Sequence, residues 1–135
     1  MSLSQDERNI LVELEIEKAI KTFSEISVLQ QAELWDTIAN RLYYASFHIV
    51  VALLIKNGYT VGTHQGAVIQ LQQYFIKTGL LPKEYGTFYS QLQSLRENSD
   101  YNCTYYASKD DIIPRVAKTK EFIDNILALI KNQDN

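Results

Sequence analysis

The sequence holds little of what would build a metal centre, a disulfide scaffold or a loop-rich fold. Its single cysteine, Cys103, can close no intramolecular disulfide and form no thiolate cluster, and it suits a reducing compartment. Only two histidines are present, His48 and His64. Neither follows a glutamate by three residues, so the Glu-x-x-His pairs of a di-metal carboxylate bundle are missing, and the ligands for a zinc site are too few. There is no Gly-rich phosphate loop, no H-E-x-x-H and no G-x-S-x-G. No metal and no cofactor is therefore expected.

Excess positive charge is also absent. Thirteen Lys and Arg against sixteen Asp and Glu give a formal charge of −3, so any contact with nucleic acid must come from a local patch rather than a net field. The longest apolar run, Leu42 to Ile55, falls short of the roughly 20 residues that cross a bilayer, and the opening MSLSQDERN lacks the apolar stretch of a secretory signal. These absences predict a cytoplasmic protein with no membrane contact. Two prolines and five glycines leave few chain breakers.

What is present is helical periodicity nearly throughout. The length predicts one domain over 1–135, with an ordered core of about 6–131. A first amphipathic helix is expected from Asp6 to Leu29, with Ile16, Ile20, Phe23 and Ile26 on its apolar stripe. A second should run from Gln31 to Lys56 and stop at Asn57-Gly58. A shorter helix, Gln65 to Thr78, carries Val68, Leu71, Phe75 and Ile76. Pro82 suits the first turn of a fourth, whose stripe of Tyr85, Phe88, Leu92 and Leu95 ends at Arg96. The stretch ENSDYNCTYYASKDD reads as the longest loop. The last helix should begin near Asp111, capped by Asp110 or Asp111, with Pro114 in its first turn and Val116, Ile123, Ile126 or Leu127, and Ile130 facing the core. The fold class is all-α: an antiparallel bundle of four long helices plus one shorter helix.

The second helix raises a question. From Leu42 to Ile55 it is apolar on nearly every face, as a central helix would be, yet Arg41 and His48 sit two turns apart on one side of it. A cation and an imidazole on such a stripe mark either a polar cleft or residues that tie the helix to the long loop and the core. Arg41 could hold a phosphate with its planar donor fork, or pair with a carboxylate such as Asp100. His48 suits a hydrogen-bonded core or interface histidine, or a catalyst. Arg96, read as a helix end beside a loop, is the leading phosphate contact. Tyr43, Tyr44, Tyr105 and Tyr106 could stack on bases or simply pack.

At these residues the sequence resembles a known family. NRLYYASFH, then THQG about fifteen residues on, then LRENSDY before the last helix, is similar to the HEPN superfamily (higher eukaryotes and prokaryotes nucleotide-binding), in its small stand-alone prokaryotic branch. The likeness covers about Ala39 to Ile130. It implies a bundle of four or five helices, a homodimer, and pairing with a nucleotidyltransferase-like protein as toxin and antitoxin. Active members are metal-independent ribonucleases with an Arg followed, after four to six intervening residues, by a His.

Two places approach that pattern. Arg41 to His48 has the spacing but lies in the second helix. Arg96 to Tyr101 has the family's position, but a tyrosine stands where the His would be, and a phenol of pKa about 10 is a poor general base near neutrality. The resemblance thus implies a nucleotide-, RNA- or partner-binding domain without catalysis, with a ribonuclease toxin as the alternative. Catalytic candidates are Arg96, Arg41 and His48. The expected ligand cleft gathers Arg41, His64, Arg96, Asp100 and Tyr101, organised by an ion pair from Arg41 or Arg96 to Asp100. Tyr101 could also accept a nucleotidyl group from the partner protein.

Overall fold

The computed structural model describes residues 3–133 and is helical from end to end, with no strand among the described residues. Four long helices are present: α1 (Gln5–Ser24), α3 (Trp35–Lys56), α5 (Lys83–Tyr101) and α6 (Lys109–Asn132). Two short ones join them: α2 (Ile26–Gln31) directly after α1, and α4 (His64–Leu71), which widens into a π turn over Gln72–Ile76.

The helix starts and stops follow from local chemistry. Ser4 and Glu7 form a reciprocal capping box at the head of α1. The expected single helix Asp6 to Leu29 is interrupted at Glu25, and α3 begins at Trp35 rather than Gln31, because the chain turns through Glu33 at φ 57°. A left-handed glutamate costs roughly 1 kcal/mol and cannot continue a helix. At the other end of α3, Gly58 at φ 85° lets its own N–H reach Ile55 O and the Tyr59 N–H reach Leu54 O, the paired bonds of a Schellman stop.

Three boundaries near the expected cleft differ from the sequence reading. Pro82 is the N-cap of α5 rather than a first-turn residue. Helix α5 does not end at Arg96 but runs on to Tyr101, so half of the expected long loop is helical and only 102–108 connects to α6. Asn102 closes it by accepting from the Thr104 N–H and hydroxyl. The cap of α6 is Ser108, which accepts from the Asp111 N–H, while Asp110 and Asp111 lie in the first turn, where their charge suits the helix dipole. Pro114 is therefore inside the helix, one turn later than expected.

Helix α3 is the central element and packs against α1, α5 and α6. Arg41 pairs with Glu25, which caps the C-terminus of α1, and His48 with Glu15 within it, rising against falling numbers, so α1 and α3 run antiparallel. Contacts of Tyr43 with Arg96 and Asn40 with Asp100 show the same for α5. Helix α6 runs parallel to α3: Asp36 meets the chain at Ala107 before α6, and Asn57 meets Gln133 after it. By length and apolar composition α3 could cross a membrane, but two-thirds of that stretch is buried inside the bundle, which is what a central core helix requires. Ile38, Leu42, Ile49, Leu53 and Leu54 of α3 are fully buried, each contributing roughly 1.5–3 kcal/mol by leaving water.

The facing stripes are Val12, Ile16, Ala19 and Ile26; Tyr89, Leu92 and Leu95; and Ile112, Phe122, Ile123, Ile126 and Ile130. Ile20 is an exception to the expected first stripe. It lies a third of a turn beyond Ala19 and is exposed. Gly86 brings α5 close to the π turn, since a Cβ there would stand 2.6 Å from Gln72 Oε1.

Candidate functional site

The extension of α5 to Tyr101 decides the environment of Arg96. Instead of ending a helix in solvent, Arg96 lies a turn and a half inside one and is only 6% exposed, contrary to the loop-edge position its sequence suggests. Its guanidinium sits among three tyrosine rings, 5.0 Å from the centroid of Tyr43, 5.7 Å from Tyr44 and 5.6 Å from Tyr101. Its carboxylate contacts are long, Glu97 at 4.0 Å and Asp100 at 3.9 Å. Nη1 donates a weak bond of 3.4 Å to Tyr101 Oη, and Nε is buried with no hydrogen-bond partner among the described residues. A buried cation with an open donor is costly unless something fills it.

Arg96 opens onto a cleft of about 570 Å³, lined also by Tyr44, His64, Glu97, Asn98, Tyr101 and Asn102. Thr63 caps the N-terminus of α4 by accepting from the Gly66 N–H, which places His64 as the first helical residue, facing α3. There its ring lies 4.5 Å from Phe47 between centroids, and Nδ1 is 2.8 Å from Tyr43 Oη. Burial, and then the Arg96 charge, hold the His64 pKa below its ordinary 6.5. Burial pushes the Tyr43 phenol up to about 12, with Arg96 opposing in part. Behind it the fully buried Tyr89 ring stacks at 6.0 Å, and burial raises its hydroxyl well above 10. Near neutral pH the imidazole is uncharged and both phenols keep their protons.

The other expected residues divide. Arg41 flanks the cleft, 5.7 Å from the far ring neighbour Tyr44, but its carboxylate partner is Glu25 at 3.6 Å, not Asp100. Its Nε and Nη2 also donate to Asn40 Oδ1, and Asn40 Nδ2 donates to Asp100 Oδ2 at 3.0 Å. Asn40 thus bridges Arg41 to Asp100 in place of a direct pair. His48 does not line the cleft. It faces α1 and hydrogen-bonds Glu15 at 2.8 Å. The polar stripe of α3 is answered by two glutamates, one for each of its basic groups.

Tyr101, 76% exposed, forms the outer lip. Sequence reasoning did not single out Tyr44 for the cleft, or Glu97 and Asn102. Tyr44 had a usable signal, since 41, 44 and 48 share a helix face. Glu97 had none while that segment was read as loop. A second groove of similar size, about 590 Å³, lies over Tyr85 and Phe88, but its charges cancel between Lys83, Lys118, Glu84 and Glu121. Among the described residues no three His, Cys, Asp or Glu stand where they could hold a metal ion.

The HEPN domain model matches residues 12–129, which takes in α3, α5, nearly all of α6 and every cleft residue. The chain belongs to the HEPN family. It is 28% identical over 127 residues to a UPF0332 protein of Thermotoga maritima, covering 94% of this chain and 96% of that one. It is 27% identical over 116 residues to a candidate toxin of Methanocaldococcus jannaschii, covering 86% of each. With a second candidate toxin of that organism it shares 32% identity over 96 residues, 71% of this chain and 65% of the other. In this HEPN chain Arg96 and Tyr101, five positions apart on α5, line one cleft with His64 of α4.

Proposed function

We propose that this HEPN domain binds a phosphate group of RNA or of a nucleotide in the Arg96 cleft without cleaving it, as one member of a toxin-antitoxin pair with a nucleotidyltransferase-like protein in the cytoplasm. The observation that carries the reading is Arg96 itself. A cation this buried, stacked on tyrosines, with distant carboxylates and an open Nε, is matched to an incoming anion more than to any partner in the chain. Tyr44 and Tyr101 flank it as surfaces on which bases can stack. The toxin names carried by relatives support the pairing. Ile10 and Leu14, one turn apart and exposed on α1, offer an apolar ridge to a second copy, consistent with a homodimer.

The second reading, a metal-independent ribonuclease, is favoured by one observation: His64 lines the same cleft as Arg96. It would replace Arg41 and His48 as the reacting pair, since His48 is committed to Glu15. The deciding experiment measures binding of a fluorescent single-stranded oligoribonucleotide by anisotropy and its cleavage in excess chelator, with wild type, Arg96→Met and His64→Ala. Binding that Arg96→Met abolishes, with intact RNA throughout, is the expected result. Cleavage lost in His64→Ala would establish the nuclease instead. Equal binding by Arg96→Met would remove the cleft from consideration.

A further inference from the structure

Tyr43 is fully buried, yet both of its chemical faces are used at the cleft wall. Its ring carries the Arg96 guanidinium at 5.0 Å, and its hydroxyl meets His64 Nδ1 at 2.8 Å. With its pKa raised to about 12 by burial, the phenol keeps its proton and can donate it. His64, held below 6.5 by burial and by Arg96, is neutral. A neutral imidazole that accepts at Nδ1 carries its own proton on Nε2. Arg96 and His64 line one cleft, the first as a cation and the second as a neutral N–H donor through Nε2. Both depend on the same tyrosine.

We infer that Tyr43 is a positioning residue that fixes Arg96 and His64 as a paired anion site, in which His64 takes part as a neutral N–H donor rather than as an imidazolium. This rests on the phosphate reading given under Proposed function. The groups whose charge or ionisation bears on His64 are Tyr43, Tyr44 and His48 from α3 and Arg96 and Glu97 from α5. Burial lowers the proton affinity of His64 most, the Arg96 charge adds to this and the Glu97 charge opposes it in part, while Tyr43 sets the hydrogen-bond geometry with which the imidazole meets the anion.

The test combines nitrogen NMR of His64 with binding of two probes, a short oligouridylate and uridine monophosphate. The arm that binds more tightly identifies a diester or a monoester as the source of the phosphate, and the variants are read in that arm. In wild type His64 should be a single Nε2–H tautomer. Tyr43→Phe keeps the ring under Arg96 and removes only the hydroxyl, so the tautomers should mix and binding should weaken by roughly fivefold, the worth of one hydrogen bond.

His64→Gln keeps a neutral N–H donor and should stay within about threefold of wild type, whereas His64→Leu should lose as much as Tyr43→Phe by the same hydrogen-bond argument. An Nδ1–H tautomer in wild type, or a tautomer and affinity untouched by Tyr43→Phe, would overturn the pairing while leaving the phosphate reading in place. A loss of tenfold or more in His64→Gln, on the scale of about 1.4 kcal/mol, would overturn the neutral-donor role. If wild type binds neither probe, the phosphate reading falls and takes the paired site with it.

Discussion

Arg96→Met keeps the length and most of the packing of the side chain while removing its charge, and it should separate binding from stability. The guanidinium loses three ring contacts, at 5.0, 5.6 and 5.7 Å. At about 0.5–1 kcal/mol each these sum to about 2 kcal/mol. Against this, a buried ion carries a desolvation cost of several kcal/mol. Carboxylates at 3.9 and 4.0 Å offset it only in part, and the unpartnered Nε adds about 1–3 kcal/mol more. No buried anion is stranded by the change, because Glu97 is exposed and Asp100 keeps its bond from Asn40. Arg96→Met should therefore be between neutral and about 2 kcal/mol more stable than wild type, a rise of up to about 6 °C in Tm for a chain of this size. The assay is thermal unfolding followed by circular dichroism without nucleic acid, beside the binding titration. A fall in Tm of more than about 6 °C would refute the reasoning and make Arg96 an anchor for α5.

Other consequences follow from single side chains. Ser46 and Thr119 are fully buried with hydroxyls that find no partner among the described residues, so Ser46→Ala and Thr119→Val should each raise stability by about 1 kcal/mol in urea unfolding. The Asp36 carboxylate accepts the Ala107 N–H at 2.8 Å and ties 102–108 to α3; Asp36→Ala should cost about 1–2 kcal/mol and speed amide exchange at Ala107. His64 binds its proton less readily folded than unfolded. The unfolded chain therefore takes up more protons below about pH 6.5, and its share of stability, complete above that pH, should be lost as pH falls toward the folded value. NMR titration should place His64 below 6.5, and His64→Gln should flatten that limb of the stability profile.

The all-helical bundle was legible because periodicity and stop signals are local. The apolar faces of α3 and α6 and the Asn57-Gly58 stop needed no tertiary information. The end of α5 was not legible, because Glu97, Asn98, Ser99 and Asp100 carry little apolar periodicity. Their helix is held by packing and by Asn40 reaching Asp100 across sixty residues of sequence. The π turn after α4 was missed for a related reason: it continues the same apolar stripe and differs only in its hydrogen-bond register.

The candidate site shows the same division. The sequence by itself determined which residues could do chemistry, since two histidines, a few arginines and the NRLYYASFH, THQG and LRENSDY stretches leave a short set. Only the tertiary structure decided their company. It sent His48 to Glu15 and Arg41 to Glu25, and buried Arg96 among tyrosines drawn from α3 and α5. It also set His64 of α4 against Tyr43. The physical reason is that a helix face fixes direction from sequence spacing, whereas the partner met along that direction depends on how the helices pack.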